Sequence, residues 1–239
     1  MNAIKKVLTL CAAFLSFAAT GFAQDISPSN DSVGIAIVYD TSGSMRQPVK
    51  DGTGKTAAKY VIANRALNAV IDRLEKVSSK NARKIQSSIV TFSGSTGKEV
   101  VPFGDFDAAK MRQWVKNFSQ PEGGTPLGEA IKVAASSLLD SHCRHKHILV
   151  ISDGLSNAGM SPDAAMSQLK KAADKKETGV SFHFIAFDIK ASVFEPVKKL
   201  GATVVGAANE QELNTQLSFI LEKKILLEDE EPPVKKEKK

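Results

Sequence analysis

Residues 33–39 read Val-Gly-Ile-Ala-Ile-Val-Tyr and break at once into Asp40-Thr41-Ser42-Gly43-Ser44. A short apolar run without alternation, bounded by Ser and Gly, is the pattern of a strand buried on both faces. Strands of that kind belong to parallel sheets covered by helices, which narrows the fold to an α/β class. The break places a carboxylate and two hydroxyls at every second residue of a tight loop. Such side chains can converge on one point above the strand end, and oxygen donors of this type suit a hard divalent cation. On its own the stretch also reads as a Gly/Ser turn opened by an aspartate, so its meaning depends on the rest of the chain.

Two later stretches repeat the theme. Gly123-Gly124-Thr125-Pro126 opens a segment with apolar residues at Leu127, Ile131, Ala134 and Leu138, the spacing of a helix face. Thr before Pro also fits an ordinary helix start. Residues 147–152 read as another strand, apolar from Ile148, ending at Asp153-Gly154. Between and after these, strands are expected at 85–92, 99–103, 180–187 and 202–205. Helices are expected from Thr56 to about Val77, over 107–118, from Ser161 to about Lys175, over 192–200, and from Glu210 to about Leu227. Residues 45–55 are expected to be a long loop. Alternating strands and helices predict a three-layer α/β sandwich, Rossmann-like, with a mostly parallel six-stranded sheet and helices on both faces. The second and third strands, joined by Ser93-Gly94-Ser95-Thr96-Gly97, predict a hairpin, so the third strand runs antiparallel.

The ends differ from the middle. Residues 1–23 carry Lys5 and Lys6, then an apolar run, then Gly21-Phe22-Ala23. These three parts predict a secretory signal peptide cut after Ala23, and hence a periplasmic or extracellular protein. No transmembrane anchor is expected after cleavage. Residues 24–32 read as a flexible lead, 33–227 as one domain, and 228–239 as a disordered, charged tail. Removing Lys5 and Lys6 lowers the formal charge from +6 to +4, too modest an excess to argue for nucleic acid. Cys143 is then the one cysteine left, so no disulfide within the chain staples the fold.

Other motifs carry less. Gly52-Thr53-Gly54-Lys55-Thr56 resembles a phosphate loop, but Val49 stands where the first glycine is required. His142, Cys143, His145 and His147 have zinc-ligand chemistry, yet they lead into the start of a strand, opposite the Asp40 loop; a basic, solvated turn is the reading there. His183, between Phe182 and Phe184, reads as a satisfied core histidine, and Asp188 ends its strand, where touching the outer part of the site and facing solvent are equally open readings. No nucleophile is paired with a base.

The order D-T-S-G-S-M, G-G-T-P-L, I-S-D-G resembles the von Willebrand factor type A domain with its metal-ion-dependent adhesion site. The resemblance covers about residues 33–227. It implies a strand order of 3-2-1-4-5-6, which sets the first and fourth strands side by side at a topological switch point. It implies that Asp40, Ser42, Ser44, Thr125 and Asp153 hold a divalent ion, Mg2+ or else Ca2+ or Mn2+. Ser42 and Ser44 would bind it directly, the two aspartates mainly through water, and Thr125 directly when ligand is present. Such an ion keeps a position open for an outside carboxylate. The function implied is a non-enzymatic, monomeric module that captures an Asp or Glu of a partner protein. The alternative is a metal-dependent phosphohydrolase in the same cleft, although such an enzyme usually has an acid where Ser42 stands. The resemblance also implies that the last helix moves on ligand binding, and the sequence offers no later element to pin it.

Overall fold

A computed structural model describes residues 32–80, 83–154 and 156–226. The signal peptide expected at 1–23, nearly all of the lead and the charged tail lie outside the described residues. The main sheet is built from β1 (Ser32–Tyr39), β4 (Lys84–Ser93), β5 (Thr96–Asp105), β6 (His145–Ser152), β7 (Ser181–Phe187) and β8 (Thr203–Ala207). Across the sheet they lie in the order β5-β4-β1-β6-β7-β8. Every pairing is parallel except β4 with β5. Counting only these six strands in chain order, the arrangement is 3-2-1-4-5-6, as expected.

β1 and β6 lie at the centre, and every residue of β1 is buried. Period-two alternation splits their side chains between two cores. Ile35, Ile37, Leu149 and Ile151 face α1 (Lys59–Ser79) and α6 (Glu210–Ile220). Ala36, Val38, Ile148 and Val150 face α3 (Leu127–Asp140) and α4 (Pro162–Lys175). A strand with core on both sides has no polar face to show water, which is why residues 33–39 carry no alternation. Two shorter helices, α2 (Ala108–Asn117) and α5 (Glu195–Lys199), complete the layers.

One expectation is corrected. Residues 45–55 are not an irregular loop: β2 (Pro48–Lys50) and β3 (Thr56–Ala58) form an antiparallel hairpin that leads into α1. Three-residue strands are too short to show a period, and Pro48 masks the first. The last helix is held by residues earlier in the chain, while the tail that follows it lies outside the described residues. The Arg65 guanidinium donates to both carboxylate oxygens of Glu210 at its start, 2.8 Å each. At its far end a π-type turn, Leu221–Ile225, carries it on, and Arg83 donates to the Leu226 carbonyl at 2.8 Å. Between them Leu213, Leu217 and Ile220 are buried. No helix among the described residues is long and apolar enough to cross a membrane.

Candidate metal centre

The register fixes the centre. Tyr39 pairs with Ile151 across the β1–β6 ladder, and the Asp40 amide continues it by donating to the Ile151 carbonyl at 3.1 Å. Asp40 therefore stands beside Ser152, whose hydroxyl donates to Asp40 Oδ2 at 2.6 Å. The other oxygen, Oδ1, accepts the Ser42 amide at 2.8 Å. Asp40 is fully buried. Burial holds its carboxyl above the ordinary carboxylate range, the bonds from Ser152 and Ser42 pull it partly back, and the nearby Asp153 pushes it up again.

After Asp40 the chain turns through Ser42 into a single 3-10 turn, Gly43–Arg46, anchored by buried Met45. Ser42 and Ser44 hydroxyls lie 3.0 Å apart. Ser44 Oγ in turn donates to Asp153 Oδ1 at 2.7 Å. The loop before α3 is sewn to the same turn by backbone alone: Gly43 N–H donates to the Gly123 carbonyl, 3.1 Å, and Glu122 N–H to the Thr41 carbonyl, 2.8 Å. That brings buried Thr125 beside the Asp153-Gly154 turn, where a Cβ on Gly154 would stand 3.9 Å from its hydroxyl. The structure thus gathers Asp40, Ser42, Ser44, Thr125 and Asp153 at the carboxyl ends of the two central strands.

Four neighbours complete the arrangement. Asn157 Oδ1 accepts the Thr125 amide at 2.7 Å, and the Asn157 amide donates to the Thr125 carbonyl at 3.2 Å. Ser152 holds Asp40, as above. Lys59, the first residue of α1, reaches Asp153 Oδ2 at 2.9 Å and Asp188 Oδ2 at 3.0 Å. Burial alone would depress the Lys59 ammonium, but hydrogen bonds to the two carboxylates outweigh it and raise its pKa. Asp188 combines the two readings left open for it, reaching Lys59 while its side chain stays 37% exposed. Ser152, Asn157 and Lys59 are not expected from the sequence, because nothing local marks them: each depends on which strand, loop or helix end lies alongside.

The donor set fits a hard divalent cation. It offers two carboxylates and three hydroxyls, all oxygen, and contacts from Ser42 through Ser44 to Asp153 already link three of the five. Among the described residues no group of three or more His, Cys, Asp or Glu side chains is placed to hold a metal. At the opposite end of the sheet, His147 Nδ1 and His183 Nε2 lie 3.2 Å apart with their rings stacked in the core. Cys143, Lys146 and His147 are buried, so the turn expected to be solvated there is half interior.

A model of the von Willebrand factor type A domain matches residues 34–220. Those residues are most of the chain, and the chain belongs to that family. No curated protein matches it. Among solved structures, the PilB minor pilin from Streptococcus sanguinis aligns with a TM-score of 0.60 at 17% identity, covering 80% of this chain and 61% of that one. The vWF domain of the type V pili tip protein Mfa5 from Porphyromonas gingivalis gives 0.61 at 14% identity, covering 80% and 94%. Proximal thread matrix protein 1 from the mussel byssus gives 0.60 at 19%, covering 80% and 47%. At these identities the likeness is one of fold. The chain spans less than two thirds of the length of the pilin and of the mussel protein.

Proposed function

We propose that this chain is an exported binding module that captures an acidic side chain of a partner protein through a divalent cation, Mg2+ in the first instance. The observation that carries the reading is the convergence of Asp40, Ser42, Ser44, Thr125 and Asp153 above β1 and β6, linked by contacts of 2.7–3.0 Å from Ser42 to Asp153. Ser42 and Ser44 would hold the ion directly, Asp40 and Asp153 mainly through water, and Thr125 would close on it with ligand. The ion would supply an electrophilic position that accepts an outside carboxylate. Neutral hydroxyls and water would make up most of its direct contacts, which keeps it electrophilic and favours that capture. Family membership and the pilin and pili tip neighbours support an adhesive, non-enzymatic role outside the cytoplasm, as the three-part leader does.

The test is a pull-down from envelope extract on the immobilised mature chain, with Mg2+ and with EDTA, repeated for Asp40→Ala. Retention of a partner that needs Mg2+ and Asp40 is the expected result. Retention unchanged in EDTA would refute the reading. Phosphate-ester turnover abolished by Asp40→Ala would replace it with the hydrolase.

A further inference from the structure

Lys59 is an unusual neighbour for a cation site. Its side chain is only 4% exposed. Its ammonium has three protons and three acceptors: Asp153 Oδ2 at 2.9 Å, Asp188 Oδ2 at 3.0 Å and Gln47 Oε1 at 3.4 Å. Asp153 is shared, because its other oxygen takes the Ser44 hydroxyl. A single carboxylate thus joins the hydroxyl ladder to an internal cation.

Asp188 is held for this contact at some cost. It is one of two residues other than glycine with positive φ among the described residues, at 53°. Side chains disfavour that region, and residues kept there cluster at functional sites. Its amide donates to the Ala207 carbonyl at 2.7 Å, fixing the turn that follows β7 against the end of β8. Lys59 is placed equally firmly, since its own amide donates to the Gln47 carbonyl at 2.9 Å where the β2–β3 hairpin meets α1.

We infer that Lys59 is the internal counter-cation of the metal pocket, and that Lys59 with Asp188 sets how tightly a divalent ion is held. The inference rests on the metal reading above. Asp40, Asp153 and Asp188 against Lys59 give the cluster a formal charge of −2. That charge balances one divalent ion. Without the ion, Lys59 keeps Asp153 in place and lessens its repulsion of Asp40. With the ion, a nearby fixed positive charge weakens the hold on it, because charges in a desolvated pocket act strongly over several ångströms. Lys59 thereby keeps the ion exchangeable and open to an acidic ligand. Asp188 acts in the opposite sense by drawing off part of the Lys59 charge.

The experiment is calorimetric titration of the mature chain with MgCl2, for wild type, Lys59→Met, Asp188→Asn and the double variant. Charge counting gives a crossed pattern: Lys59→Met binds Mg2+ tighter by about tenfold or more, Asp188→Asn binds weaker, and the double variant returns toward wild type. Melting in EDTA provides a second readout, with Lys59→Met lower than wild type and the gap closing when Mg2+ saturates the site. Lys59→Gln, which keeps a donor for Asp153, must also bind tighter and serves if the Met variant fails to fold. A purely structural Lys59 would make both single variants bind weaker and the double weaker still. That outcome, or unchanged affinity in all variants, overturns the inference while leaving the metal site standing. Absence of Mg2+ binding by wild type removes the metal reading and this inference together.

Discussion

Asn157 holds Thr125 by both sides of its backbone, its side-chain oxygen accepting the Thr125 amide and its own amide serving the Thr125 carbonyl. Thr125 is buried, so its amide has no easy recourse to water. Asn157→Ala is expected to leave that donor unsatisfied and cost about 1–3 kcal/mol. Faster hydrogen exchange at the Thr125 amide is the direct measurement. Because Asp40, Ser42 and Ser44 are untouched, Mg2+ affinity should fall less than affinity for acidic partner. Exchange at Thr125 as slow as in wild type would show that the loop is held by something else.

Asp153 and Ser42 belong to one site but should differ in what they do for stability. The Asp153 carboxylate is fully buried against Lys59. Asp153→Ala strands an ammonium, and losing one side of a buried ion pair costs roughly 3–5 kcal/mol. The remaining contact with Asp188, whose side chain is 37% exposed, keeps the loss below that range. Ser42→Ala removes a hydroxyl bond to Ser44 and should cost about 1 kcal/mol. Urea denaturation in EDTA would separate the two, and equal losses would contradict the pairing.

Much of the fold and site is legible in the sequence because the signals are contiguous. The apolar run before Asp40 announces a two-sided core, and Asp153 can be read because it closes another such run. Thr125 is found from the glycines before it and the helix after it. Lys59 cannot be found that way. It lies 19 residues beyond Asp40, and only the hairpin of β2 and β3, too short to show a pattern, turns the start of α1 back over the site. Asn157 depends on the approach of two loops 32 residues apart. The buried His147–His183 contact requires a register between β6 and β7, which pairs Leu149 with His183, and neither strand displays it alone.

Glycine supplies a sharper test of the packing around Thr125. A Cβ on Gly128 would stand 2.2 Å from the Met160 carbonyl oxygen. That neighbour is backbone and cannot rotate aside. Gly128→Ala is expected to destabilise by about 1–3 kcal/mol or more through overpacking, and to loosen the first turn of α3 beneath Thr125. A Cβ on Gly104 in β5 would meet nothing within 4 Å, and the residue has no left-handed φ. Gly104→Ala should therefore be neutral or slightly stabilising, by up to about 1 kcal/mol, because it restricts the unfolded chain. Thermal melts of the two variants should shift in different directions or at least by clearly different amounts. Matching losses would mean that α3 does not approach the Met160 loop so tightly.

The start of the last helix should make stability depend on pH. Glu210 accepts both Arg65 bonds and the Gly52 amide, the last at 2.9 Å from the β2–β3 turn. The Arg65 hydrogen bond holds its carboxyl below the usual 4.5, burial opposes this, and the Gly52 amide adds to the lowering. A depressed carboxyl stabilises the fold at pH above its unfolded value and loses that contribution as pH falls through the folded one. Arg65 is about half exposed, so screening limits the contribution to roughly 0.5–1 kcal/mol. Glu210→Gln should lower the melting temperature by about 1–4 °C at pH 7. The gap should narrow as pH drops below 4.5, where wild type loses the same charge. A gap that persists unchanged at acid pH would show that the ion pair does not tie the helix to the hairpin. If the gap closes as expected, any sliding of the last helix must first break the Arg65–Glu210 contact, and with it a link to α1, the helix that begins at Lys59.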